Sequence, residues 1–302
     1  MTLFRVHRRR PLRKTLRKVF VSLVSRVEKE LAVTPLTPPS VHEARKSVKR
    51  LRALVSLVSD HLKSMAHVFD RTLRDVNRVL SATRDATVAI ATLEHLARDH
   101  GNGLSNDFAA AQAALDRRLA QTREHDFHVE RDVVTPLKRL QQRWQKHTWP
   151  SHEWRLLEPN LRRTYRNGRR MVREVADGAP AERLHDLRKL VKHTQYHAEF
   201  LKRTGTPRLP AEHDEWERLA DLLGQHHDLW VLRELLRTMS TKDLPRISRT
   251  LVLAEVGHAA RNLELQVSEL APILYAERPR AFTDRWHAYW KQWRRHGHGS
   301  RP

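Results

Sequence analysis

The chain carries the same cationic pattern twice. His42-x-x-Arg45-Lys46-x-x-Lys49 and His185-x-x-Arg188-Lys189-x-x-Lys192 share spacings of three, four and seven residues, which stack side chains on one face of an α-helix. Like charges so placed repel and destabilise the helix modestly, so an anion is the natural complement. Guanidinium forks match the paired oxygens of phosphate and hold their charge beside a dehydrated anion. A solvated helix screened by nearby carboxylates would account for one such stripe. Its return in register in a second copy favours a shared anionic ligand.

Two further segments fit the same chemistry. Along Leu161-Arg162-Arg163-Thr164-Tyr165-Arg166-Asn167-Gly168-Arg169-Arg170 and on to Arg173, helical spacing puts Arg162, Arg166, Arg169 and Arg173 on one face and Arg163 and Arg170 on another. Arg13-Lys14-Thr15-Leu16-Arg17-Lys18 is its counterpart near the start of the chain; for both, a plain solvated basic helix is the alternative. Leu80-Ser81-Ala82-Thr83-Arg84-Asp85 and Leu222-Leu223-Gly224-Gln225-His226-His227-Asp228-Leu229 read as places where one helix ends and another begins. Asp85 and Asp228 there either orient a neighbouring Arg or His or cap a helix, and both readings stay open.

The elements that position these groups repeat as well. Setting residue n against n+143 aligns residues 41–49 with 184–192, five of the nine identical, and also pairs Leu80 with Leu223, Asp85 with Asp228 and Val88 with Val231. A duplication follows, with halves of 9–150 and 152–295. Ala44, Val48, Leu51, Val55, Val58 and Leu62 fall within an arc of about 80°, with the cations opposite. Leu187, Val191, Thr194, Ala198 and Leu201 form the matching apolar stripe, opposed by His185, Arg188, Lys189, Lys192 and Tyr196. Pro35, Pro38 and Pro39 are expected to end the first helix, with Ser40 capping the next and Glu43 as its capping-box partner. Gly101-Asn102-Gly103, Gly178-Ala179-Pro180, Gly205-Thr206-Pro207 and Leu244-Pro245 divide the rest, giving about four helices per half. No segment alternates as a strand does, so an all-α pair of four-helix bundles is expected, with residues 297–302 frayed.

Composition narrows the function. Lys+Arg 57 against Asp+Glu 35 leaves a net +22 over 302 residues, which points to a polyanionic partner. With no cysteine, disulfides, thiolate metal sites and cysteine nucleophiles are excluded. No apolar run reaches the ~18–20 residues of a membrane span, and a soluble, cytoplasmic protein is expected. Nine Lys/Arg and no acid in the first 27 residues suit a transit peptide, but Val19–Val24 runs into Arg26 without a cleavage pattern, which favours an integral basic helix.

Taken together, His42-x-x-Arg45-Lys46-x-x-Lys49-Arg50-Leu51-Arg52, its partner at 185–192, the Arg162-Arg163-Thr164-Tyr165-Arg166 helix and Leu223-Gly224-x-x-His227-Asp228 resemble the CHAD domain, the conserved histidine α-helical domain, over nearly the whole chain. The resemblance implies one domain over 1–302 made of two four-helix bundles related by pseudo-two-fold symmetry. It implies non-catalytic binding of inorganic polyphosphate in a basic groove or pore, and association with polyphosphate granules, their proteins or polyphosphate-metabolising enzymes. The contacts it implies are His42, Arg45, Lys46, Lys49, Arg50 and Arg52; His185, Arg188, Lys189, Lys192, His193 and Tyr196; Arg162, Arg163, Tyr165, Arg166, Arg169 and Arg170; Arg13, Lys14 and Arg17; and Arg84 and His227, with Asp85 and Asp228 orienting them. Position 50 is Arg where the second copy has His193, and Arg84 is replaced by His227 at the equivalent position, departures from strict two-fold equivalence.

The ligand suits the chemistry. Polyphosphate has no bases to stack, and the basic stripes lack the aromatic platforms of single-strand binders. Duplex DNA needs only sequence-independent phosphate contacts and remains the competing class; a scaffold for acidic proteins is a third. Although 20 of the residues are His, His185-Asp186 and His227-Asp228 do not converge as metal ligands must. There is no His-Glu-x-x-His, no P-loop and no Glu-x-Glu-x-Lys, so neither a metal, a cofactor nor catalysis is expected.

Overall fold

The computed structural model describes residues 4–33, 35–81, 84–99, 105–121, 128–176 and 182–295. Among them every regular element is helical: α1 (Leu12–Leu31), α2 (Pro38–Leu57), the single turn α3 (Ser59–Leu62), α4 (Met65–Val79), α5 (Arg84–Asp99), α6 (Ser105–Gln121), α7 (Thr135–Lys146), α8 (Glu158–Ala176), α9 (Glu182–Leu201), α10 (Arg208–Arg237), α11 (Arg246–Leu274) and α12 (Pro279–Arg295). A π-helical stretch, Val129–Val134, leads into α7. The all-α expectation holds, and the helices outnumber the four expected per half. Shifted by 143, Pro38–Leu57 becomes 181–200, and α9 covers Glu182–Leu201, so the repeat register survives in the fold to one residue.

The apolar stripes read from periodicity are the core faces. Ala44, Val48, Leu51, Val58, Leu187, Val191 and Ala198 are fully buried, and Val55, Leu62, Thr194 and Leu201 nearly so. Val19, Phe20, Leu23 and Val24 are buried on α1, as an integral helix requires.

Two boundary expectations are overturned. Pro38 and Pro39 do not end the first helix, which stops at Leu31; they are the first two residues of α2. The first-turn N–H groups of a helix have no intrahelical partner, so proline there forfeits nothing and its φ is already helical. The cap is Thr37 rather than Ser40: Thr37 Oγ1 accepts from Ser40 N at 3.3 Å while Ser40 Oγ accepts from Thr37 N at 3.2 Å. Glu43 accepts instead from Arg26 at 2.8 Å. The second overturned boundary is at 222–229, which lies inside the unbroken α10. Gly224 alone costs a helix about 1 kcal/mol, and buried Leu219, Leu222, Leu223, His226, Leu229, Leu232 and Leu236 carry the 3.6-residue period past it. The breaks expected at Gly205–Pro207 and Leu244–Pro245 fall between helices; 101–103, 178–180 and 297–302 lie outside the described residues.

The chain divides into two compact units, Met1–Leu80 with Phe127–Arg218 and Pro272–Pro302, and Ser81–Asp126 with Leu219–Ala271. Each draws on both sequence halves. In the first unit α1, α2, α4 and α7 pack on one another around Phe20, Phe69 and Trp144, whose ring centroids lie 4.5 to 5.9 Å apart. The Trp144 indole, fully buried, donates to Leu16 O at 3.2 Å. Also in this unit α8 packs on α9 and α12, and the first part of α10 joins them through Trp216, edge-on to Tyr165 at 6.4 Å and to Tyr275 at 4.9 Å. Gly168 of α8 is required here, because a Cβ would run into the Tyr275 ring.

The second unit comprises α5, α6, the remainder of α10 and most of α11. Buried Ala89, Ala111 and Ala114 let α5 and α6 pack closely. Arg117 donates to Asp243 O at 2.7 Å.

Candidate functional site: the face of the paired motif helices

The two motif helices, far apart in sequence, pack directly against each other within the first unit. Their register is pinned by one ion pair. Arg50 of α2 puts Nε 3.2 Å and a terminal nitrogen 2.5 Å from the two carboxylate oxygens of Glu199 on α9. The side chains are only 11% and 9% exposed, so this is a buried bidentate pair. Beside it His197 lies 3.2 Å from Ala53 O, and the Arg50 guanidinium sits 5.9 Å over the Phe4 ring. Phe4 in turn packs on Phe200 at 5.3 Å and edge-on to Tyr196 at 6.4 Å, and Val6 N donates to Phe200 O. The N-terminal segment thus seals this end of the contact.

The cations of the twinned motif divide by depth. His42, Lys46, His185 and Lys189 are exposed, Lys49, Arg188 and Lys192 half-buried, and Arg45 buried. Arg45, Lys49, Arg188 and Lys192 all interact with neighbouring groups in the folded chain, and Lys189 pairs with Asp186 at 2.9 Å. Burial lowers the His185 pKa from its ordinary value, and Lys189 and Arg188 lower it further. Burial, with Arg52 nearby, pushes His193 down to about 4, so it is neutral at pH 7 and adds no cation. Tyr196 is pushed up to about 12, chiefly by burial, and stays a neutral phenol.

Several residues expected at the ligand are committed to the protein. The Arg50 fork is spent on Glu199. Arg52 gives two bonds, 3.2 and 3.0 Å, to Asp70. On α8, Arg162 pairs with Glu158, Arg163 gives 2.6 Å bonds to both oxygens of Asp60, Arg169 donates to Tyr275 O at 3.0 Å, and Arg170 lies 3.6 Å from Glu174. Tyr165 is fully buried, stacked on Phe282 at 4.0 Å with its hydroxyl donating to Leu274 O, so it faces the core rather than solvent. Arg166 remains exposed, and among the described residues it forms no ion pair. On α1, Arg13 and Lys14 are exposed and Arg17 donates to His147 O at 3.0 Å.

His227 and Asp228 lie in the second unit, half-buried in the middle of α10. A helix interior rules out the capping role weighed for Asp228; there it lines a cavity of about 440 Å3 with His95 and Gln225. Arg84 and Asp85 open α5, but their side chains lie outside the described residues. The acids that neutralise so many arginines, Glu199, Asp70 and Asp60, stand 18 to 149 residues from their partners, beyond any local sequence signal. Glu158, four residues from Arg162, was legible as a helical i,i+4 pair.

Among the described residues one group gathers metal-type ligands, with atoms of His213, Asp214 and Glu217 within 4.8 Å of one another. His213 Nδ1 is already 3.0 Å from Asp214 and Glu217 accepts from Gln195 at 3.3 Å. No helix among the described residues is long and apolar enough to cross a membrane.

Comparison with known proteins bears on this face. A family model described as the CHAD domain matches residues 8–237, a span that takes in α1, both motif helices and the arginine-rich α8. The search of curated proteins found no match.

Proposed function

Because the chain belongs to the CHAD family, we propose that it binds inorganic polyphosphate, without turning it over, on the cationic face that α2 and α9 present together. The observation that carries this reading is the direct packing of the two motif helices, which places both copies of His-x-x-Arg-Lys-x-x-Lys in one compact unit. A chain of phosphates with about one charge per unit suits such a face: each contact is a charge-assisted hydrogen bond, and no base has to be read. The contacts are His42, Arg45, Lys46 and Lys49 from α2 and His185, Arg188, Lys189 and Lys192 from α9, with exposed Arg166, Arg13 and Lys14 extending the positive surface. Arg50 and Arg52 act behind them, holding α2 against α9 and α4. Phosphoryl transfer would need carboxylates arranged to hold Mg²⁺, and among the described residues the acids on the motif helices are already paired, Glu43 with Arg26, Asp186 with Lys189 and Glu199 with Arg50. In the cell, this binding would draw the protein to polyphosphate granules.

Calorimetry with polyphosphates of increasing length, duplex DNA as competitor and two salt concentrations tests the reading. Long polyphosphate should bind, weaken with salt, and resist displacement by DNA at equal phosphate. Arg45→Ala/Lys49→Ala/Arg188→Ala/Lys192→Ala should abolish most of the affinity with helical content preserved. Because Arg45 is buried, Lys46→Ala/Lys49→Ala/Lys189→Ala/Lys192→Ala provides a milder version with the same expected direction. Unchanged affinity in both variants would refute the assignment, and displacement by DNA on equal terms would make the face a general phosphate surface.

A further inference from the structure

A cavity of about 530 Å3 opens in the first unit where the start of α10 meets α12 and the segment preceding α1. That volume falls within the ~300–1,000 Å3 typical of small-molecule sites. Arg8, Arg203 and Arg208 line it, together with the rings of Tyr289 and Trp293. The Arg8 Nε donates to Trp293 O at 2.6 Å, which ties the N-terminal segment to α12 and leaves its terminal nitrogens beyond that bond. Arg203 and Arg208 are exposed, and among the described residues neither forms an ion pair. The first turn of α10, which begins at Arg208, holds no acid. The field here is positive enough to be felt by His7, whose pKa is lowered by burial first and then by Arg10, Arg5, Lys18 and Arg203.

The rings distinguish this cavity from the motif face. A Cβ on Gly205 would come within 2.7 Å of the Tyr289 ring, so glycine at 205 lets that ring lie close against the wall of the cavity. Trp293 is half-buried beside it. Uncompensated guanidinium groups next to flat apolar surfaces suit a ligand with phosphates at one end and an aromatic ring at the other.

We propose that this cavity is a second anion site, which binds a nucleoside polyphosphate by gripping its phosphates with Arg203 and Arg208 and resting its base on the wall formed by Tyr289 and Trp293. Its residues are disjoint from the eight contacts on the α2 and α9 face, so the two sites are separable by mutation.

Calorimetry on the full chain with ATP, inorganic tripolyphosphate and adenosine tests it. ATP should bind once per chain, more tightly than either fragment. Arg203→Ala/Arg208→Ala should weaken ATP by roughly a hundredfold, about tenfold for each lost charge-assisted contact. Trp293→Leu, which keeps apolar bulk and so the fold, should weaken ATP while leaving tripolyphosphate unchanged. Arg45→Ala/Lys49→Ala/Arg188→Ala/Lys192→Ala should leave ATP affinity within about twofold, as expected for separate sites, while losing long polyphosphate; failure of the polyphosphate reading therefore does not touch this one. The proposal is overturned if the parent protein gives no ATP binding, if tripolyphosphate binds as tightly as ATP to the four-residue Ala variant, or if ATP affinity survives loss of Arg203 and Arg208.

Discussion

Arg50 offers the sharpest test of how cationic residues are apportioned between ligand and fold. Its pairing with Glu199 is bidentate and about nine-tenths buried on both sides. Replacing Arg50 with Met keeps much of the stem that packs near Phe4 but leaves the Glu199 carboxylate buried without its partner. Breaking a buried pair from one side costs on the order of 3–5 kcal/mol, most of it the penalty of the orphaned charge. A domain stable by ~5–15 kcal/mol loses a large part of its stability that way. Removing both charges, in Arg50→Met/Glu199→Leu, avoids the orphan and should return the protein to within about 1–2 kcal/mol of the parent. Urea denaturation followed by tryptophan fluorescence reads this selectively, since seven of the eight tryptophans lie in the first compact unit and only Trp230 in the second. A loss below about 1 kcal/mol for Arg50→Met, or a double variant as unstable as the single one, would refute the argument, because a surface pair behaves that way. Polyphosphate affinity of folded Arg50→Met should stay near that of the parent; a fall as large as that of the four-residue Ala variant would move Arg50 from the scaffold to the ligand.

Other perturbations have equally definite outcomes. Thr37→Ala removes one side of the reciprocal cap on α2 and should cost about 1 kcal/mol in the same urea assay, whereas Glu43→Ala should not reproduce the loss of a cap. Gly168→Ala forces the Tyr275 ring away from α8 and should destabilise by about 1–3 kcal/mol despite alanine's better helix propensity; a stabilised variant would show that the ring moves freely. His193 and His197, pushed by burial to about 4 and about 3 from an ordinary 6.5, favour the folded state only while neutral. Their contribution is therefore complete above pH 6.5 and is lost as pH falls from there toward about 4 for His193 and about 3 for His197, by up to about 1.4 kcal/mol per pH unit for each histidine. Urea midpoints at pH 7 and pH 5 should show the drop, and His193→Asn should make it shallower.

The legible and illegible parts of this fold separate by the range of the physics involved. The twin stripes of α2 and α9 were readable because a helix converts sequence spacing directly into a face, and every apolar position named on them is buried. The start of α2 is ambiguous in sequence for a local reason: Thr37 and Ser40 both suit a cap, and the two prolines between them look like a stop until they are placed at the first two helical positions. The break expected near Gly224 failed because one glycine is too weak to interrupt a helix whose leucines keep their period.

Chain order and residue type by themselves determined that this protein is all helical, that its motif is duplicated in register, and that it carries a net charge of +22. Those properties follow from periodicity, repetition and charge, all of which are local or additive. Which cations remain for a ligand was decided only by the tertiary structure. Arg50, Arg52 and Arg163 look no different in sequence from Lys46 or Arg166, yet each meets a carboxylate brought from a distant helix. Packing also turned Tyr165 into the core and set Arg203 and Arg208 beside the rings of α12. Neutralisation depends on which charges the fold brings within a few ångströms, and Coulomb's law acts on that distance rather than on separation along the chain.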